Sequence, residues 1–258
     1  MSHILLGYAN GMDYAPLSGG SWQTAYPLNN LLSPLLKKKA RSLDLLATST
    51  QFVMDLLASR STLCFAAIAT NLSPSATFRL TGSNDSSFAT ILYDSGLQSA
   101  GSQIPDLTWA LPSSVVARYW RFELVDSLNA AGYIEIGRVF IGPALQPKTN
   151  LAKGAEIGYQ SRSELVTSLG GVEYPDVQPL RRRFSFSLGH LNDYEAFVQV
   201  LQIQKYSDIT SEVLLMTDND EHAYRQQVNF LGRLGQLSPI QQPYAGMHQT
   251  AFEVLEIV

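Results

Sequence analysis

Charge is scarce in this chain. Asp, Glu, Lys and Arg make up 16% of its 258 residues, where a soluble domain usually carries about 25%. The surface must therefore be covered by uncharged polar groups, or be buried against other subunits. The net charge of −4 excludes a global basic field of the kind that draws nucleic acid. Cysteine is nearly absent: Cys64 stands alone, which excludes a disulfide within the chain. Its neighbours Leu63, Phe65 and Ala66 are apolar, so it reads as a small core residue, and the chain reads as made in a reducing cytoplasm. No apolar run approaches the roughly twenty residues of a membrane span; the longest, 63–70, has strand length. Residues 1–11 lack the basic start and apolar core of a signal peptide.

Catalytic signatures are missing as well. There is no Gly-rich phosphate loop, no nucleophile elbow and no His-Glu-x-x-His helix. His3, His190, His222 and His248 fall in no metal-ligand spacing. The expectation is a non-enzymatic chain with no cofactor and no metal.

What is present is β patterning. In 118–126, Tyr119, Arg121, Glu123 and Val125 share one face, and Trp120, Phe122 and Leu124 share the other. In 132–143, Ile134, Ile136, Arg138 and Phe140 alternate with Tyr133, Glu135, Gly137, Val139 and Ile141. The two runs, joined by a polar connector, predict an antiparallel pair. Further strands are expected at 40–46, 63–70, 77–82 and 91–93, while 52–57 suits either a strand or a short helix. Residues 143–179 change character, with many Gly, Ser and Pro, and read as a long linker or extended arm with a short strand at 156–160. Order returns at 183–188, where Phe184, Phe186 and Leu188 share a face. Asn192 or Asp193 can cap a helix to about 204, with Tyr194, Phe197, Val198 and Leu201 near helical spacing. Strands at 212–217, 223–234 and 251–257 follow.

These elements give a mainly β chain in three parts. Residues 1–145 form a β-sandwich, 146–180 an arm, and 181–258 a small α+β unit. Trp120 shares its face with Phe122 and Leu124 and belongs to the core. Trp22 and Trp109 lie in loop-like sequence and are the candidate sugar-stacking residues. Residues 218–221, Asp-Asn-Asp-Glu, read as a hairpin turn, with a divalent cation as the alternative. The basic runs 37–39 and 181–183 read as solvated faces or as donors of salt bridges between subunits, and a phosphate contact is the alternative.

The runs 118–126 and 132–143 resemble the closing strands of discoidin-like, galactose-binding-like jelly rolls. Together with 21–31, 40–42, 168–174 and 181–188, they resemble a tailed-phage tail-tip protein of the distal-tail type. That resemblance implies a jelly roll followed by a belt domain related to the tail tube. It implies a virion protein at the tail tip that forms a ring, a homohexamer, between the tail tube and the hub or baseplate proteins. The other class in view is a carbohydrate-binding module for a cell-surface glycan. Neither implies sequence-specific nucleic-acid recognition.

Overall fold

The computed structural model describes residues 3–101, 103–218 and 224–258. The chain is mainly β and is built on two large antiparallel sheets. The seven-stranded sheet runs, in spatial order, Arg138–Gly142, Phe52–Ile68, Leu107–Val125, Thr77–Ser83 and Ile91–Asp94, with two short strands attached. Its inner face carries Phe52, Phe65, Phe78, Trp120 and Phe122. Met12, Leu28, Leu31, Ile134 and Ile136 cover it from the opposite side. The phase read from 118–126 holds, since Trp120, Phe122 and Leu124 are all fully buried. Phe122 is the hub of the packing, with ring centroids 4.5 Å from Phe65 and 5.7 Å from Phe52. Such tilted and edge-on pairs favour an aromatic core beyond the area they bury.

Several expectations are corrected here. The runs 118–126 and 132–143 are not neighbours, because Phe52–Ile68 lies between them. The second run also breaks at Gly137. Glu135–Ile136 pairs with Ala40–Arg41, and Arg138–Gly142 pairs with 64–68. A β-carbon on Gly137 would stand 2.7 Å from the Leu36 carbonyl oxygen, so only glycine admits this close approach. The segments 52–57 and 63–70 belong to one long strand that ends at Ile68, with Leu57 at a φ of 62° where the register shifts. The expected strand at 40–46 shrinks to two residues.

The eight-stranded sheet runs Ala144–Leu145, Leu5–Gly7, Val213–Met216, Asn229–Leu234, Met247–Glu256, Arg181–Leu191 and Glu156–Gln160, with Gln241–Tyr244 attached. Leu5–Gly7 thus sits inside the second sheet, and the division at 145 does not separate the two sheets. The reason is local. A β-carbon on Gly7 would lie 2.6 Å from Cys64 Sγ and 2.9 Å from the Phe140 ring, so glycine lets this strand press on the first sheet. The two sheets share a core made by Cys64, Ala66 and Phe140 on one side and Leu5, Leu214 and Met216 on the other. Cys64 is fully buried in that seam, and burial pushes its thiol pKa far up, in keeping with an inert packing residue.

A buried polar cluster pins the same seam. Arg138, 1% exposed, donates from Nε to both carboxylate oxygens of Glu212 at 3.1 and 2.9 Å, and from Nη1 to the Leu31 carbonyl at 2.9 Å. Its Nη2 also pairs with Asp13. Asn10 donates to Glu212 and to the Val139 carbonyl, both at 3.0 Å.

The helix begins as expected at Asn192. Asn192 Oδ1 accepts from the Glu195 amide, and Glu195 Oε2 accepts from the Asn192 amide, both at 2.9 Å, a reciprocal cap. Its first turns, Glu195–Val200, are π-wound and lead into an α-helix over Leu201–Ser207. The buried stripe is Ala196, Val200 and Ile203, itself at helical spacing, and the apolar set Tyr194, Phe197, Val198 and Leu201 faces out. The strand expected over 223–234 starts only at Asn229, after a short helix Arg225–Val228. Residues 219–223, with His222 and most of the 218–221 turn, lie outside the described residues.

Candidate functional site

Neither sequence-selected tryptophan stands free. Trp22 packs edge-on against Phe52 with centroids 5.9 Å apart, and its indole N–H donates to the Gly19 carbonyl at 3.1 Å. Trp109 is not in a loop but in the strand Leu107–Val125, because the unbroken strand beside it offers a partner at Phe65. Its N–H donates to the Tyr93 hydroxyl at 2.8 Å, and its ring meets Phe78. Both are half-buried and brace the first core. The structure does not bring them together.

What it does bring together is a cleft of ≈ 550 Å³ where the first sheet meets the helix. Tyr8 and Tyr14 come from the N-terminal segment, Arg60 from the long strand, and Tyr194, Gln202 and Tyr206 from the helical segment. The Arg60 guanidinium lies 4.4 Å above the Tyr14 ring, and the Tyr8 hydroxyl donates to Gln202 at 3.3 Å. Burial raises the pKa of Tyr8 and Tyr14, the latter against the pull of Arg60, so both hydroxyls stay neutral donors at physiological pH. Among the described residues the cleft has no carboxylate or imidazole in its lining. Its rings, amides and single cation suit binding of a polar ligand with apolar faces rather than proton transfer. Sequence reading missed these residues because they span positions 8–206 with no local motif, and a tyrosine alone carries no signal.

The arm presents a second exposed surface. Glu156–Gln160 forms the expected strand and, beyond that expectation, pairs with Arg181–Leu191 in the second sheet; the chain then leaves the sheet as a hairpin, Glu164–Thr167 against Glu173–Asp176. Every residue in those two hairpin strands is exposed, among them Leu165 at 67% and Tyr174 at 60%. On the helix, Tyr194 is 63% and Phe197 52% exposed.

The basic runs are partly spent within the chain. Lys39 pairs with Glu135 at 3.0 Å, Arg182 with Glu256, and Arg183 with Glu253. Lys37 and Arg181 instead face a cleft of ≈ 750 Å³ that also holds Arg162 and Arg233. Among the described residues no cluster of His, Cys, Asp and Glu has metal-site geometry, and no helix is long and apolar enough to cross a membrane.

No protein-family model matches the chain, and no curated protein matches it. Several solved structures share part of its fold. CBM32-1 from a family 31 glycoside hydrolase of Clostridium perfringens matches with a TM-score of 0.42 at 10% identity, over 53% of this chain and 99% of that one. The lectin domain of lectinolysin, complexed with Lewis B antigen, matches with a TM-score of 0.41 at 12% identity, over 52% and 95%. For SpGH29 the TM-score is 0.42 at 13% identity, over 53% of this chain and 28% of that one. The likeness is confined to about half of this chain.

Proposed function

We propose that this chain is a non-enzymatic structural component of a tailed-phage tail tip, a ring subunit between the tail tube and the hub or baseplate. The observation that carries this reading is the arm. Leu165, Val166, Leu169, Val172, Tyr174 and Val177 are all exposed within 13 consecutive residues. A free monomer rarely presents so dense an apolar surface, and a neighbouring subunit would bury it. The outward helical stripe adds a second such surface. The tail-tip setting and the homohexamer come from the resemblance of 21–31, 40–42, 118–123, 132–143, 168–174 and 181–188 to distal-tail proteins. Imaging of intact particles tests the reading: the chain should occupy a ring at the tail tip. Its presence in a lysate but absence from purified virions would defeat the proposal, and a different copy number would defeat only the hexamer.

A second reading, glycan attachment, is favoured by the tyrosine cleft. Aromatic faces stack on sugar rings, while amides and neutral hydroxyls meet hydroxyl groups. Calorimetric titration with host-surface oligosaccharides tests it. Binding abolished by Tyr14→Ala and Tyr206→Ala, with melting temperature unchanged, supports it; binding indifferent to both removes this cleft from consideration.

A further inference from the structure

The four cations of the larger cleft have no carboxylate in ion-pair range among the described residues. Lys37 comes from the loop after the 3₁₀ turn Leu28–Leu32, Arg162 and Arg181 from the two sides of the arm's base, and Arg233 from the strand Asn229–Leu234. The acidic side chain in the lining, Glu256, is already held by Arg182, and Val258 lines the cleft as well. Leu35 and Ile209, both exposed, share the lining. A chain of net charge −4 has thus gathered four cationic side chains and exposed apolar groups in one groove.

The arm has the opposite character. From 163 to 178 it carries Glu164, Glu173 and Asp176 and no Lys or Arg. Glu164 stands directly across the hairpin from Asp176. Like charges at facing positions destabilise a strand pair, and none of the three carboxylates has an ion-pair partner among the described residues. Asp176 meets only the Gln178 amide, at 3.3 Å. The hairpin therefore has an apolar surface without cover and an acid pair without a counter-ion. The groove offers both.

We infer that the acidic hairpin of one copy docks in the basic groove of a second copy. The inference rests on the assembly reading above and names the two surfaces that assembly uses. About six residues separate the hairpin's base from its tip, a reach of roughly 20 Å, enough to cross to a neighbour. Carboxylates at Glu164, Glu173 and Asp176 meet the guanidinium and ammonium groups, and Leu165 and Tyr174 cover Leu35 and Ile209. Because each copy carries both surfaces, the contact propagates from copy to copy or closes on itself.

Sedimentation of the full chain tests this at low and high salt. The parent should self-associate, and added salt should weaken the association. Lys37→Glu with Arg233→Glu should raise the dissociation constant at least about tenfold, and Glu173→Lys with Asp176→Lys should do the same. An equimolar mixture of the two double variants should recover hetero-association, a result that misfolding cannot produce. If the parent associates and both variants match it, the docking is overturned while the assembly reading stands. If the parent stays monomeric at every concentration and in intact particles, the assembly reading fails and takes the inference with it. A groove that binds inorganic polyphosphate, with charge reversal leaving association untouched, is an anion site and also overturns the docking.

Discussion

Two β segments of this chain are rich in apolar residues and meet opposite fates. The distal half of Phe52–Ile68 is buried on both faces, with Phe65 and Ala67 in the first core and Cys64, Ala66 and Ile68 against the second sheet. The hairpin at 163–178 is buried on neither. The first lost its alternation because two layers compete for it. The second keeps apolar groups that its own chain never covers. An uninterrupted apolar strand thus marks a seam inside the molecule, while the apolar residues of a Gly- and Ser-rich arm are left uncovered by their own chain.

The seam should break hardest at its polar pin. Arg138→Ala leaves Glu212 buried without its cation and should cost about 3–5 kcal/mol, read by denaturant unfolding. Replacing Arg138 and Glu212 together with Met should cost less than Arg138→Ala. Equal costs would mean that the pair does not act as a unit. Trp120→Ala removes the largest fully buried side chain and should also cost about 3–5 kcal/mol. A variant as stable as the parent would take Trp120 out of the core.

The arm should behave oppositely. Deleting 161–179 should change stability by no more than about 0.5 kcal/mol, while abolishing self-association. Limited proteolysis of the isolated chain should cut there first. Preferred cutting within 63–80 would invert the comparison.

The smallest effect lies at the sheet's rim. The hydrogen bond from Arg79 holds Asp94 at a pKa of about 2, below its ordinary 3.8. A depressed carboxylate adds stability above its unfolded pKa and loses it as pH falls through the folded value. Arg79→Met should therefore be less stable than the parent near neutrality, and the gap should close between about pH 4 and pH 2. Both side chains are partly exposed, so the gap is small. A gap independent of pH would point to packing instead.

Strands with one wet face were legible in the sequence because they print their period: 77–82 and 118–126 in the first sheet and 183–188 in the second. Strand order was not, since 132–143 carries no mark of which neighbour it will take. The helix cap at Asn192 was readable, but its buried face was not. Tyr194, Phe197, Val198 and Leu201 keep helical spacing, but so do Ala196, Val200 and Ile203, and the sheet beneath decides which set turns inward. The candidate site was least legible. Trp22 and Trp109 drew attention as large rings in apparent loops, whereas the tyrosine cleft and the basic groove are assembled from positions far apart in sequence.

The placement of Leu5–Gly7 has a consequence for the order of events at the ribosome. Its two partners in the sheet are Ala144–Leu145 and Val213–Met216. That segment must wait until more than two hundred further residues have emerged before its slot exists. Contacts of such sequence separation close slowly. Until then the nascent sandwich shows the bare outer side of Cys64, Ala66 and Phe140 to water, a transient sticky patch of the kind that chaperones attend.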